Sequence, residues 1–287
     1  MPMTQDDIRA YYREQWQSAN DARSQGVSNA MNYSSPIEDA VIYSIYERLI
    51  SDLGIRMNNA RVLDIGSGSG RWIRFILERY TPTSLTGIDF AESSVMLLKE
   101  WAASVETTSK VAFQTADITS EQLILDGHTD PFDTINVSNV LFHIPEPQKF
   151  EQSLRNIASL LADDGRVITT EYMPRTTMRT NWMAVRNRYD FENACFNAGL
   201  EIADIRASSF FSNDPMGIDG PDSTTRKRFN TVRALTQQLL DGVANDESRA
   251  FVTRLFAEIE HACIEYCSER IAQVDMPAQK LVVLRKR

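Results

Sequence analysis

The fold of this chain is decided by the stretch VLDIGSGSGR at residues 62–71. A short apolar run, which suits a buried strand, passes directly into a turn with three glycines, and a helical stretch follows. Glycine permits tight backbone angles and leaves no side chain between the main chain and a bound ligand. The stretch therefore predicts a strand, a turn and a helix that hold a nucleotide-like ligand.

After this turn, short apolar runs alternate with helical stretches, which is typical of a parallel sheet with crossover helices. The predicted strands are 61–65, 84–89, 111–114, 132–138, 166–171, 200–206 and 281–284. Later helices are predicted at 148–161, 225–240 and 247–272. The pattern indicates an α/β fold, with a doubly wound, mostly parallel seven-stranded sheet and helices on both faces.

Four parts of the chain are predicted. Residues 1–55 form an N-terminal helical cap, which includes a helix capped by Ser35, and residues 56–208 form the ligand-binding core. A helical insertion occupies 209–279, and 280–287 contain the terminal strand of the core sheet. Because the core fold does not need the insertion, we interpret it either as a lid over the site or as the contact of a homodimer.

Composition places the chain among globular proteins, since 43% of its 287 residues are hydrophobic and 24% are charged. A formal net charge of −9 gives an acidic surface, which repels a phosphate backbone and argues against nucleic acid as a partner. No apolar run approaches the ~20 residues that cross a bilayer, and the first residues lack a signal-peptide core. Three cysteines are too few for a disulfide framework. We therefore expect a cytoplasmic protein without membrane contact.

No metal site is expected. Asp214, Asp219 and Asp222 share one loop, and His261, Cys263 and Cys267 share one helical stretch, but neither group has a standard ligand spacing. Acidic loop residues are usually solvated, and cysteines four positions apart on an amphipathic helix usually face the core.

The segment DIGSGSG at residues 64–70 resembles the first motif of class I S-adenosylmethionine-dependent methyltransferases, an acid followed by x-G-x-G-x-G. The resemblance implies that S-adenosyl-L-methionine is the cofactor. It also implies that the backbone of Gly66, Ser67, Gly68 and Gly70 lies along the methionyl and ribose parts of that cofactor. Asp64 is then expected to order the loop or to reach the methionyl ammonium.

Two later acids resemble the second and third motifs of the same family. Asp89 ends the second predicted strand, where its carboxylate can accept two hydrogen bonds from a ribose diol. The resemblance implies that Phe90 lies against the adenine. It also implies that Asp117 accepts from the adenine amino group, with Ile118 lining the ring.

The fourth predicted strand runs into NVSNVLFHIP at residues 136–145, which is similar to the L-x-H-[IV] segment of many small-molecule methyltransferases. In those relatives the strand end borders both the cofactor sulfonium and the acceptor, so Ser138 and Asn139 are expected at the cofactor. Enzymes that methylate base amines of nucleic acids usually carry an [NDS]-P-P-[YFW] motif here, which residues 138–141 do not match. The comparison favours a small-molecule acceptor.

His143 is the candidate general base. Methyl transfer from a sulfonium is an in-line displacement, in which alignment alone contributes roughly 7 to 11 kcal/mol. A hydroxyl acceptor also gains from a base, and neutral imidazole suits that role, so O-methylation is favoured over N- or C-methylation. Packing is the alternative role for His143. Glu171 and Tyr172, at the end of the fifth strand, are second candidates that either act on the acceptor or shape the pocket.

Other interpretations stay open. A nicotinamide-dependent oxidoreductase is disfavoured because Arg71 stands where the dinucleotide fingerprint has its third glycine, and a noncatalytic protein that retains the cofactor fold is a third class. The N-terminal aromatics Tyr11, Tyr12 and Trp16 either close over the cofactor or seal an apolar interface.

Overall fold

The computed structural model describes residues 4–24, 36–180, 183–211, 224–276 and 279–287. Its strands are β1 (Arg61–Ile65), β2 (Ser84–Asp89), β3 (Lys110–Thr115), β4 (Phe132–Ser138), β5 (Leu161–Tyr172), β6 (Met178–Arg179), β7 (Ala184–Val185), β8 (Leu200–Ala207) and β9 (Gln279–Lys286). Its helices are α1 (Gln5–Ser24), α2 (Pro36–Leu53), α3 (Arg71–Arg79), α4 (Glu92–Ala102), α5 (Pro147–Leu160), α6 (Arg188–Asn197), α7 (Thr224–Gly242) and α8 (Asp246–Ser268). Short 3₁₀ helices lie at Leu141–His143 and Gln273–Asp275.

Within the described ranges, the central sheet has seven strands in the order β3-β2-β1-β4-β5-β9-β8. Strands β1 to β5 pair in parallel, whereas β9 runs antiparallel to both of its neighbours, β5 and β8. This confirms the predicted doubly wound, mostly parallel sheet. The strand order reverses between β1 and β4, and ligands of such sheets bind in the crevice beyond the carboxyl ends of the strands at that point.

Apolar side chains cover both faces of the sheet. On one face, Leu49 of α2 and Ile73 of α3 share a buried cluster with Ala257 and Ile264 of α8. On the other face, α5 and α6 supply a second cluster that includes Phe150. The second helix of the predicted insertion is therefore part of the core, because it packs against the same cluster as α2.

The elements differ most from the predictions at β5, at α8 and at the β6–β7 hairpin. Strand β5 begins at Leu161 rather than at 166, because its pairing with β4 is interrupted by a register shift between Phe132 and Thr134. Helix α8 ends at Ser268, four residues before the predicted end, where the amides of Arg270 and Ile271 donate to one carbonyl. The β6–β7 hairpin was not predicted, since strands of two residues are too short to show a period of two.

Helix α2 begins at Pro36, and its predicted cap Ser35 lies outside the described residues. Proline suits the first turn of a helix because the first amides have no partner within the helix. None of the helices in the described part of the chain has the length and apolar character needed to cross a bilayer.

Candidate functional site

The turn between β1 and α3 requires glycine at three positions. Gly66, Gly68 and Gly70 have φ angles of +69°, +49° and +81°, in the left-handed region that other residues rarely adopt. Space is also short: a Cβ atom on Gly66 would lie 2.3 Å from Val140, and one on Gly68 would lie 3.1 Å from Trp16. A side chain at either position would have to displace a neighbour.

A cavity of about 430 Å³ lies at the carboxyl edge of the sheet, next to this turn. Its wall includes eleven of the fourteen predicted site residues: Gly66, Ser67, Gly68, Asp89, Phe90, Asp117, Ile118, Ser138, Asn139, His143 and Tyr172. The predicted cofactor side and the predicted acceptor side therefore border one continuous space. Asp64, Gly70 and Glu171 are not part of the wall.

Asp64 lies beneath the glycine turn, with 1% of its surface exposed. Its Oδ1 accepts from Asn136 Nδ2 at 2.6 Å, and Asn136 Oδ1 in turn accepts from the hydroxyls of Tyr46 and Ser138. Burial raises the pKa of Asp64 to about 7, and the hydrogen bonds from Asn136 and Ser67 oppose that rise. Its Oδ2 is buried without a hydrogen-bond partner in the described part of the chain. Asp64 orders the base of the turn.

Asp89 is fixed at the end of β2 by main-chain amides. Its Oδ2 accepts from Gly68 N at 3.0 Å, and its Oδ1 accepts from Ala91 N at 2.9 Å. Burial raises the pKa of Asp89 to about 6, and these amides oppose the shift. The carboxylate faces the cavity and holds the glycine turn in place.

Asp117 follows β3 and is held from two sides. Its Oδ1 accepts from the amide and hydroxyl of Thr119, at 2.8 and 2.9 Å, and its Oδ2 forms an ion pair with Arg9 of α1. The neighbouring Ile118 is buried in the cavity wall. Arg9 was not predicted as a site residue, because only the docking of α1 brings it to Asp117.

One face of α1 closes the cavity. Gln5, Arg9, Tyr12 and Trp16 all line it, and their spacing of three and four residues places them on one side of the helix. The spacing was visible in the sequence, but the surface that it covers was not. Tyr11 lies outside the wall.

His143 faces the cavity from the 3₁₀ helix after β4. The Tyr12 hydroxyl lies 3.1 Å from His143 Nδ1, within hydrogen-bond distance, and the two rings meet edge to face. Phe142 packs against Tyr172 with ring centroids 5.4 Å apart. The two candidate acceptor residues, His143 and Tyr172, therefore border the same part of the cavity through a shared aromatic neighbour.

Asn139 joins the ends of three strands. It has a φ of +60°, which asparagine tolerates better than most residues. Its amide donates to Thr170 Oγ1 at 2.6 Å, and its Oδ1 accepts from Thr170 of β5 and from Gln279 of β9. The adjacent Ser138 donates to Asn136 at 2.9 Å. These bonds hold the backbone after β4 in a fixed position at the cavity.

The comparisons with known proteins agree with this geometry. Residues 62–165 match the family model described as a methyltransferase domain. The protein-lysine N-methyltransferase efm4 of Schizosaccharomyces pombe is 35% identical over 94 residues, covering 28% of this chain and 39% of that protein. Demethylmenaquinone methyltransferase of Staphylococcus aureus is 31% identical over 101 residues, covering 35% and 42%. The chain thus spans less than half the length of these curated relatives.

A solved structure extends the likeness in fold. Magnesium protoporphyrin IX methyltransferase (ChlM) from Synechocystis PCC 6803, with bound SAH, aligns with a TM-score of 0.51 at 19% identity. The alignment covers 70% of this chain and 93% of that chain. Residues 62–165 thus match a methyltransferase domain, and the chain shares the fold of class I methyltransferases.

S-adenosyl-L-methionine is the methyl donor of this class, and the residues of the methyltransferase domain fit it. The glycine turn borders the cavity where a Cβ atom at Gly66 or Gly68 would intrude. Asp89 offers a buried carboxylate at the second strand end, and Asp117 offers one at the third. Gly70 lies outside the cavity wall. A Cβ atom at this position would lie 2.5 Å from Leu98 of α4, so the glycine lets the turn pack closely against that helix.

Glu171 lies outside the cavity wall. Its side chain is buried, with 3% exposed, and it accepts from Thr169 Oγ1 at 3.0 Å. Successive residues of a strand point to opposite faces of the sheet, and the next residue, Tyr172, borders the cavity. A role for Glu171 at the acceptor stays a prediction.

The cavity wall also contains a group of charged side chains that the sequence motifs did not predict. Glu38 of α2, Arg71 of α3 and Arg233 of α7 line the cavity together. Burial raises the pKa of Glu38 to about 7, and the two arginines oppose the rise. Arg71 is adjacent to the glycine motif and was considered only as a departure from the dinucleotide fingerprint. Arg233 carries no sequence signal, because its role depends on where α7 docks.

Two groups of side chains were considered as metal ligands from the sequence. Asp214, Asp219 and Asp222 lie outside the described residues. In the ranges that the structure describes, no three His, Cys, Asp or Glu side chains are grouped so as to hold a metal ion. Cys263 and Cys267 are half-buried on α8.

Proposed function

We propose that this chain is an S-adenosylmethionine-dependent methyltransferase that acts on a small-molecule acceptor, with oxygen as the favoured target. One observation carries the proposal: the glycine turn and Asp89 share a single cavity with His143 and Tyr172. A donor held by the first pair would therefore have its reactive end in the same space as an acceptor held by the second.

Each residue on the cofactor side of the cavity has a proposed contact with S-adenosyl-L-methionine. The backbone of Gly66 and Gly68 would run along the methionyl and ribose parts, and Asp89 would accept from the ribose hydroxyls. Asp117 would accept from the adenine amino group while it keeps its ion pair with Arg9. Phe90 and Ile118 supply apolar surface for the adenine ring.

The acceptor side has two tasks, alignment and proton removal. When bound, the cofactor supplies a methyl group on a sulfonium, which is displaced in line. Asn139 fixes the backbone beside the reacting centre through its bonds to Thr170 and Gln279. His143 would take the proton of a hydroxyl acceptor. The hydroxyl of Tyr12, on α1, lies within hydrogen-bond distance of the imidazole and would hold it in place.

A small acceptor is supported by the size of the cavity. Residues of α1, α2 and α7 line it, and its volume of about 430 Å³ is in the range of small-molecule sites. The acidic net charge of −9 also disfavours nucleic acid. The relative named as a protein-lysine N-methyltransferase matches over 94 residues, which is 28% of this chain. The cytoplasmic location expected from the sequence stays a prediction.

The test uses methyl-labelled S-adenosylmethionine with the purified protein and a size-fractionated extract of its source cells. We expect label in the small-molecule fraction, loss of that label with His143→Ala, and loss of S-adenosylhomocysteine binding with Asp89→Ala. The matched control is Asp130→Asn, since Asp130 is an exposed carboxylate away from the cavity. Label that enters only protein or nucleic acid would overturn the acceptor class.

A further inference from the structure

Two arginines hold the main-chain carbonyls that directly follow His143. Arg186 Nη2 donates to the carbonyl of Ile144 at 2.6 Å, and Arg179 Nη1 donates to the carbonyl of Pro145. Both arginines come from the β6–β7 hairpin or its end, which is an addition between β5 and α6. The segment that carries His143 is therefore attached to a structure outside the glycine turn and its neighbouring strands.

Arg186 is buried although it is a cation, with 6% of its surface exposed. Its Nη1 also donates to the carbonyl of Ala184 at 3.0 Å, and its guanidinium lies 3.5 Å from the centre of the Phe150 ring. Phe150 belongs to the first turn of α5, immediately after the His143 segment. One guanidinium thus links the hairpin, the carbonyl after His143 and the start of the next helix.

Burying a charged group is costly unless its polar atoms are hydrogen-bonded. The Arg186 guanidinium meets this condition through two main-chain carbonyls and also lies on the Phe150 ring. Burial lowers the pKa of Arg186 to about 10, and the negative charge of Glu171 opposes that shift.

We propose that Arg186 is a positioning residue, which fixes the His143 segment against the β6–β7 hairpin and the start of α5. The effect on turnover rests on the proposed function. The positioning itself does not, because it concerns the orientation of the His143 ring in the protein alone.

The experiment exploits the small number of histidines, which are His128, His143 and His261. Histidine-selective ¹⁵N labelling gives three pairs of ring signals, and His143→Gln identifies one pair. We compare Arg186→Met, Arg186→Lys and the matched control Arg188→Met with wild type, in the presence of S-adenosylhomocysteine. Arg188 is exposed and pairs with Glu192, without contact to residues 144 and 145.

We expect Arg186→Met to shift the His143 signals alone, with affinity for S-adenosylhomocysteine within about twofold of wild type. Label transfer should fall about 10- to 100-fold, because a displacement of about 1 Å costs on that order. Arg186→Lys should give a smaller shift of the same signals, since it keeps the charge and one donor, and Arg188→Met should give none. The Michaelis constant for the cofactor should not change.

A folded Arg186→Met protein with wild-type His143 signals would overturn the proposal, as would equal shifts of all three histidines. If Arg186→Met does not fold, Arg186→Lys decides: an unchanged His143 signal is evidence against positioning. If wild type transfers no label but the His143 signals still respond to Arg186→Met, the proposed function fails and the positioning role stands.

Discussion

The two roles of Asp89 should make the affinity of the protein for its ligand depend on pH. Its carboxylate holds the glycine turn through Gly68 and would accept from the ribose, yet burial raises its pKa to about 6. As pH falls through 6, the carboxylate takes up a proton and loses acceptor capacity. We expect affinity for S-adenosylhomocysteine to fall by up to about tenfold between pH 8 and pH 5, because only about a tenth of the Asp89 carboxylate stays ionised at pH 5.

Titration calorimetry across this pH range checks the prediction. Asp89→Asn should bind weakly at pH 8 and show little further loss at pH 5. A wild-type affinity that is constant from pH 5 to pH 8 would contradict the role of Asp89.

Gly68 tests whether the turn is shaped for a ligand or only for a backbone angle. Gly68→Ala should lower affinity for S-adenosylhomocysteine at least tenfold, because the added methyl group enters the cradle 3.1 Å from Trp16. Gly127→Ala is the matched control, since Gly127 has a φ of +73° and nothing within 4 Å of the added atom. Both variants should lose about 1–3 kcal/mol of unfolding free energy from backbone strain. Equal ligand affinities in the two variants would show that Gly68 serves the turn alone.

Asn136 supports the buried carboxylate of Asp64. In Asn136→Val the carboxylate loses its 2.6 Å donor, so we expect a loss of about 2–3 kcal/mol in unfolding free energy at pH 8. The pKa of Asp64, already raised to about 7 by burial, should rise further. A folded-state pKa above the unfolded value means that the folded protein binds more protons, so the loss should be smaller at pH 5. Denaturant unfolding at both pH values, with Tyr46→Phe as the milder control, measures this difference.

At the residue scale, motif positions were predictable and docking positions were not. Gly66, Asp89 and Asp117 sit at strand ends whose place in the sheet follows from chain order. Arg9 and Glu38 reach the same cavity only because α1 and α2 pack where they do. Nothing in the local sequence of either residue records that packing.

Among the elements, α1 connects the two halves of the cavity. Tyr12 meets His143, and Trp16 lies over Gly68, one turn further along the same face. We expect Tyr12→Phe to reduce methyl transfer about tenfold while affinity for S-adenosylhomocysteine stays within twofold, because only the hydroxyl is lost. Trp16→Leu should instead weaken binding of S-adenosylhomocysteine.

Calorimetry and label transfer on both variants separate the two contributions of α1. The reverse pattern, with binding lost in Tyr12→Phe and kept in Trp16→Leu, would refute this division of roles. These measurements therefore test whether the N-terminal aromatics close over the cofactor or only seal an apolar interface.

For the whole molecule, the predicted homodimer has a candidate surface on the insertion. Of the twelve exposed large apolar side chains in the described ranges, seven lie between residues 235 and 271. Phe251, Leu255 and Ile259 occupy successive turns of α8, flanked by Arg254 and Glu258. An antiparallel pairing of two α8 helices would bring each arginine opposite the glutamate of the other copy.

Light scattering after gel filtration tests this pairing. We expect a dimer for wild type, a monomer for Leu255→Asp and a dimer for Met96→Asp, since Met96 is 53% exposed on α4 and lies outside the insertion. A monomeric wild type, or dissociation in both variants, would refute the surface.

The overall fold followed closely from sequence periodicity, since six of the predicted strands are local apolar runs and the seventh lies at the end of the chain. The placement of α7 and α8 could not be predicted in this way. An amphipathic pattern indicates that one face of a helix is buried, but it does not indicate which element that face packs against. The dual use of the insertion illustrates this: Ile264 packs into the core beside α2, and Arg233 borders the cavity.

The position of β9 has a consequence for how the protein is made. Among the described residues, β8 joins the sheet through β9 alone, and β9 pairs with β5 on its other side. While residues 279–286 are still inside the ribosome, β8 has no strand neighbour in the described part of the chain, and β5 presents an open edge. The nascent chain can assemble the glycine turn and the five parallel strands early, but that edge closes only when β9 has emerged.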